Sequence, residues 1–113
     1  MITLDEVKKV DTYNVAFRYL KAQRYTQMGG WTPTFRKRIL ACKTQKERNL
    51  LENSATDDDR ECYLPQTLTI QDFRTSNDYE IYLFIQQYYL GMDAKIDLYH
   101  KLISMGLLEN QTI

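Results

Sequence analysis

The chain has 113 residues, 43% of them apolar and 27% charged, which places it among ordinary soluble globular domains large enough for one modest core. Fifteen Lys/Arg balance fifteen Asp/Glu, yet residues 1–50 carry a net +7 and residues 51–113 a net −7. That division bears on partners and association, not on fold. Only four Gly and two Pro argue against a β-sandwich, and one His with two widely spaced Cys excludes a zinc-ligand pattern. The expectation is an all-α, single-domain bundle over 1–113, built from four or five short helices around one apolar helix.

Thr3 and Glu6 stand at the spacing of a capping box, a reciprocal pairing that opens helices. Val7, Val10, Tyr13, Phe17 and Leu20 then recur at helical spacing, and Gly29-Gly30 is the expected stop. Thr32 as N-cap and Pro33 as first residue predict a second helix with Phe35, Ile39 and Cys42, with Leu40 as a further candidate, on its buried face. Thr44 and Glu47 repeat the capping spacing. Either the chain breaks near Lys43 and starts a short third helix through Leu50-Leu51, or one helix bends there.

Residues 53–61 are polar, aperiodic and acidic, and predict a solvated surface loop. Residues 62–70 have extended character, but Pro65 and the lack of a visible partner strand favour an extended crossing that packs Leu68 and Ile70 onto helices. Ser76 or Asn77 should cap the strongest helix, 78–90, which is apolar on nearly every side. Gly91 should stop it and Asp93 cap the next. The last helix carries a stripe of Ile96, Tyr99, Leu102 and Ile103, and Gly106 ends it with Leu107 placed for the accompanying contact. The predicted core is Tyr82, Leu83, Ile85 and Tyr89, surrounded by Phe17, Leu20, Phe35, Ile39, Leu102 and Ile103.

No phosphate-loop, dinucleotide, zincin or nucleophile-elbow motif occurs, so the expectation is a protein without catalysis, cofactor or metal. His100 reads as a solvated helix residue and Asp57-Asp58-Asp59 as a solvated triplet. Cys42 and Cys62 read as free thiols. No apolar run approaches the roughly 20 residues that cross a bilayer. The opening Met-Ile-Thr-Leu-Asp-Glu lacks a signal-peptide layout, so a cytoplasmic place and no membrane partner are expected.

Nine tyrosines and one Trp are a heavy load of side chains that bury area while keeping a polar tip. They point to a small adaptor, assembly subunit or inhibitor, of the compositional type seen in viruses and mobile elements, working through a protein partner or self-association. Trp31, Tyr79, Tyr88 and Tyr99 are the candidate partner contacts, although Trp31 could equally cover the start of the second helix. The opposite charges of the two halves would suit head-to-tail or two-fold association. Arg18, Lys21, Arg24, Arg36, Lys37 and Arg38, interleaved with aromatics, are the candidate nucleic-acid contacts.

Residues 84–109, through the turn Leu90-Gly91-Met92-Asp93 and the closing Gly106-Leu107-Leu108-Glu109, resemble the helix-turn-helix of small transcription regulators. The resemblance implies a DNA-binding regulator as the alternative function, with the last helix entering the groove. Gln87 replaces the small residue of such motifs, Asp97 replaces a buried aliphatic, and Lys95 and Lys101 are offset by Asp93 and Asp97.

Overall fold

The computed structural model describes residues 4–108, so Thr3 of the first capping box and Glu109 of the closing tetrapeptide lie outside the described residues. The chain is mostly helical, with six α-helices among the described residues and one two-stranded antiparallel sheet that an all-α reading does not contain. It divides into two compact units. The first takes residues 1–25 and 66–113, and the second takes 26–65.

In the first unit, α1 (Leu4–Lys9) and α2 (Thr12–Ala22) replace the one long helix that the apolar spacing suggests. The break has a local cause: the Asp11 carboxylate accepts the Asn14 amide at 3.0 Å and so caps α2. The apolar stripe rotates accordingly, burying Val7, Thr12, Ala16 and Leu20 while Tyr13 and Phe17 are half-buried. The stop comes well before Gly29-Gly30. Gln23 is the C-cap, Arg24 takes φ +67°, and the amides of Arg24 and Tyr25 return to the carbonyls of Lys21 and Leu20. This is a Schellman ending in which Arg occupies the left-handed position usually held by Gly. Arg24→Gly should therefore raise unfolding stability, by about 0.5–1 kcal/mol, because relief of the left-handed strain exceeds the extra freedom of the unfolded chain. Urea titration with an unchanged slope would register it.

α5 (Ser76–Gln87) begins two residues earlier than predicted, because Thr75 is the cap and its hydroxyl accepts the Asp78 amide at 3.2 Å. It also ends earlier, at Gln87, so Tyr88–Gly91 form the turn into α6 (Met92–Ser104). Gly91 is extended and stands at the N-cap of α6. Asp93 is not the cap; it lies in the first turn, where the positive end of the helix favours a carboxylate. α5 packs on α6, α2 packs on both, and α1 packs on α6. Ile81, Tyr82 and Ile85 of α5 are buried, with Leu20, Leu98, Tyr99 and Leu102. Leu83, Phe17, Ile96 and Ile103 are only half-buried, and Tyr89 is exposed, so the core is narrower than the all-round apolar helix implied. Gly106 ends α6 as predicted. At φ +74° its amide and that of Leu107 reach the carbonyls of Ile103 and Leu102.

Phe73, which no periodicity singled out, is buried against Tyr25, Tyr79 and Tyr82 at ring separations of 4.2, 5.4 and 5.3 Å. It follows a 3-10 turn over Ile70–Asp72, where Asp72 accepts the Thr69 amide. Ile70 is exposed, so the expected packing of that residue gives way to Phe73 three positions on.

In the second unit, β1 (Gln27–Trp31) pairs antiparallel with β2 (Arg60–Tyr63), with Gln27 opposite Tyr63 and Trp31 opposite Arg60. The extended segment thus has a partner within its own chain, in residues read as the end of a helix. Between Met28 and Trp31 the strand bulges, and Gly29-Gly30 oppose Glu61. A Cβ on Gly29 would come within 3.2 Å of both the Glu61 carbonyl and the Tyr63 ring, so a side chain there would require the facing strand to give by a few tenths of an ångström. The acidic stretch is ordered too: Asp57–Asp59 form a 3-10 turn in which Asp59 accepts the Thr56 amide, and the strand begins at Arg60.

The Thr32 amide bonds the Asp59 carbonyl at 2.9 Å, and the Thr32 hydroxyl caps α3 (Pro33–Leu40) at the Phe35 amide, as the Thr-Pro pair predicted. α4 (Gln45–Asn53) is separate, which settles the alternative near Lys43 in favour of a break. Thr44 accepts the Glu47 amide at 3.1 Å, while Glu47 reaches back to the Lys43 amide at 3.0 Å, one residue before the usual partner. Phe35 and Ile39 are buried, and both belong to α3 of the second unit.

Candidate interaction site

The turn between α5 and α6 gathers aromatic side chains from two parts of the sequence. Tyr88 is the C-cap of α5, and the fully buried Thr12 donates its hydroxyl to the Tyr88 oxygen at 3.5 Å. The Tyr13 ring lies 5.3 Å from Tyr88 and 5.6 Å from Tyr89, and Phe17 stacks beyond it at 6.4 Å. Tyr88 and Tyr89 meet edge to face at 5.1 Å, a favoured aromatic geometry. The Lys95 ammonium sits 5.2 Å from the Tyr88 ring centre. Burial first, and then the neighbouring Tyr89, raise the Tyr13 phenol above its ordinary range.

Around this cluster the turn exposes large apolar residues. Tyr89 is 76% and Leu90 83% exposed, and Met92 is exposed beyond the glycine. The predicted contacts fare unevenly. Tyr99 is buried and so is not a surface residue, while Tyr79 and Tyr88 are half-buried. Helical periodicity placed Tyr89 in the core because it extended α5 by three residues. Tyr13, Tyr89, Leu90 and Met92 were missed as surface candidates, and the Leu90-Gly91 break was the available signal.

Trp31 lies in the second unit, where it serves a local role. Its ring is 4.6 Å from Phe35, and the Arg60 guanidinium stands 4.0 Å over it from the opposing strand. This supports the reading in which Trp31 covers the start of the second predicted helix, α3.

The basic candidates fall in different units. Arg18, Lys21 and Arg24 belong to the first unit, whereas Arg36, Lys37 and Arg38 are exposed on α3 of the second. The +7 and −7 halves are likewise regrouped. The first unit holds eight Lys/Arg against nine Asp/Glu, the second seven against six. Charge polarity between halves of the sequence is therefore not polarity between units, and it gives no support to head-to-tail pairing.

The α5–turn–α6 pair has the connectivity of a helix-turn-helix, but its cations are engaged. Lys101 Nζ is 2.6 Å from Glu80 Oε2 and 2.6 Å from Asn77 Oδ1, and Lys95 covers Tyr88. Asp93 and Asp97 are exposed on α6, which opposes phosphate. A concavity of about 320 Å³ beside α6 is lined by Phe84, Asp97, His100, Lys101 and Ser104, with His100 exposed and set edge-on to Tyr99. The Ser104 hydroxyl donates to the Lys101 carbonyl at 2.8 Å.

Cys42 and Cys62 are free thiols. Among the described residues no three His, Cys, Asp or Glu side chains gather into a metal-binding group. No helix among them is long and apolar enough to cross a membrane. No protein family, curated protein or solved structure matches the chain.

Proposed function

We propose that this protein is a small non-enzymatic interaction protein whose first unit, a helical bundle around α5, contacts a protein partner or a second copy through the α5–α6 turn. One observation carries the reading: Tyr89, 76% exposed, rests on the rings of Tyr13 and Tyr88, with Phe17 behind Tyr13, and Leu90 next to it in the turn is 83% exposed. Exposed apolar side chains on a rigid aromatic base suit an anchor residue that enters a partner's pocket. Packing by Tyr13 and Tyr88 holds the anchor in place, so little side-chain entropy remains to be lost on docking. The helix-turn-helix alternative requires free cations on α6, and Lys95 and Lys101 are both engaged.

The test is light scattering over a range of concentrations, with and without duplex DNA at low and moderate salt, on the native chain and on Tyr89→Ser with Leu90→Ser. Association or partner capture by the native chain should weaken by about 2 kcal/mol or more in the double variant, with the fold unchanged, as for central anchors of interfaces. A native chain that stays monomeric and captures the same proteins as the variant refutes the reading. A salt-sensitive duplex complex would establish the DNA-binding alternative instead.

A further inference from the structure

The α3–α4 segment of the second unit carries a charge pattern that its own neighbours do not neutralise. Residues 33–53 hold six Lys/Arg against only Glu47 and Glu52. Both acids are already used, Glu52 by Arg48 at 3.2 Å and Glu47 by the Lys43 amide at 3.0 Å. Arg36, Lys37, Arg38, Lys43 and Lys46 are all exposed, and among the described residues none of the five takes part in an ion pair. Arg36, Lys37 and Arg38 lie on α3 and Lys46 on α4, which pack on each other, and Lys43 lies in the link between them.

Two leucines stand out on these same helices: Leu40 is 77% exposed and Leu50 63%. Residues three and four apart are neighbours on a helix surface. Leu40 thus lies one turn beyond Arg36 and Lys37, and Leu50 one turn beyond Lys46. Each exposed leucine is flanked by unneutralised cations. Phosphate backbones use the cations but have no use for the leucines. A carboxylate-rich segment with apolar residues at helical spacing uses both.

We infer that the α3–α4 surface docks an acidic amphipathic segment of a partner protein, with Leu40 and Leu50 as apolar contacts and Arg36, Lys37, Lys43 and Lys46 pairing its carboxylates. The inference concerns residues of the second unit and does not depend on the function proposed for the α5–α6 turn. Charge complementarity of this kind chiefly raises the rate of encounter, while the apolar contacts govern how long the complex lasts.

The experiment titrates the full chain into a labelled synthetic helical peptide bearing Glu and Leu at three- and four-residue spacing. Its Glu→Gln analogue, poly-dT and phosphatidylserine vesicles are run in parallel. Saturable binding of the acidic peptide should weaken at least about tenfold with Leu40→Ser and Leu50→Ser combined, and dissociation should quicken. Arg36→Gln, Lys37→Gln, Lys43→Gln and Lys46→Gln combined should weaken it comparably and flatten its salt dependence. Unchanged far-ultraviolet circular dichroism would confirm that these exposed substitutions leave the fold intact. Absence of saturable peptide binding overturns the inference. So does tighter binding of poly-dT or vesicles than of the peptide, or binding indifferent to the two leucines.

Discussion

Ile85→Ala should cost roughly 2–5 kcal/mol of unfolding free energy, the range for truncating a large aliphatic in a packed core. Ile85 lies on the buried side of α5 with Ile81 and Tyr82, one turn before the point where the helix gives way to the exposed turn. Its loss would leave a cavity on the side of α5 that packs against α2 and α6. Ile85→Val supplies the graded control, at about 0.5–1.5 kcal/mol. Denaturant unfolding with an unchanged slope is the measurement. A loss below about 1 kcal/mol for the alanine variant would mean that α5 is not central to the first unit.

The second large effect should appear at alkaline pH. Asp78 is only 2% exposed, and the Tyr19 hydroxyl donates to its carboxylate. Burial first, and then this hydrogen bond and the carboxylate's charge, push the Tyr19 phenol up to about 12. A phenol whose folded value exceeds its unfolded one favours folding while protonated. That stability is fully present below about pH 10 and is lost as pH rises through about 12, because the unfolded chain releases the proton first. Tyr13 and Tyr82 are also raised, chiefly by burial, and steepen the same decline. Tyr19→Phe should flatten this alkaline slope. At neutral pH it should also cost about 1–3 kcal/mol or more, because a buried carboxylate loses its hydroxyl donor. Equal slopes for the native and Tyr19→Phe chains above pH 10 would show that the pair does not couple to folding.

How these two units could be read in advance differs residue by residue. Thr32 with Pro33, Thr44 with Glu47 and Gly106 marked true helix ends, because a cap is decided by backbone groups within a few residues of it. The same local chemistry misled where two caps competed: Thr75 took the start of α5 ahead of Ser76 and Asn77, and Asp11 divided an apolar stripe that looked continuous. Of the candidate site, the tyrosine load was legible in the sequence. Which tyrosines face outward was not, since Tyr89 and Tyr99 both sit at helical spacing yet one is exposed and the other buried.

By itself, then, the sequence determined a mostly helical protein, the Thr32-Pro33 start of α3 and the left-handed glycine that closes α6, while near Lys43 it left a break and a bend equally open. Tertiary structure decided that Gln27–Trp31 is a strand, since its partner Arg60–Tyr63 lies beyond both helices of the second unit and no local window contains the pair. It decided that Phe73 is core, through rings contributed by residues before and after the second unit in the chain. It also decided what the charge division means. Each unit draws acids and bases from both halves of the sequence, so the +7 and −7 of the linear chain nearly cancel within each, and what remains outward on α3 and α4 depends on which carboxylates were already taken. Periodicity records which residues could share a face, whereas burial is fixed by what packs against that face, and here the packing came from distant segments.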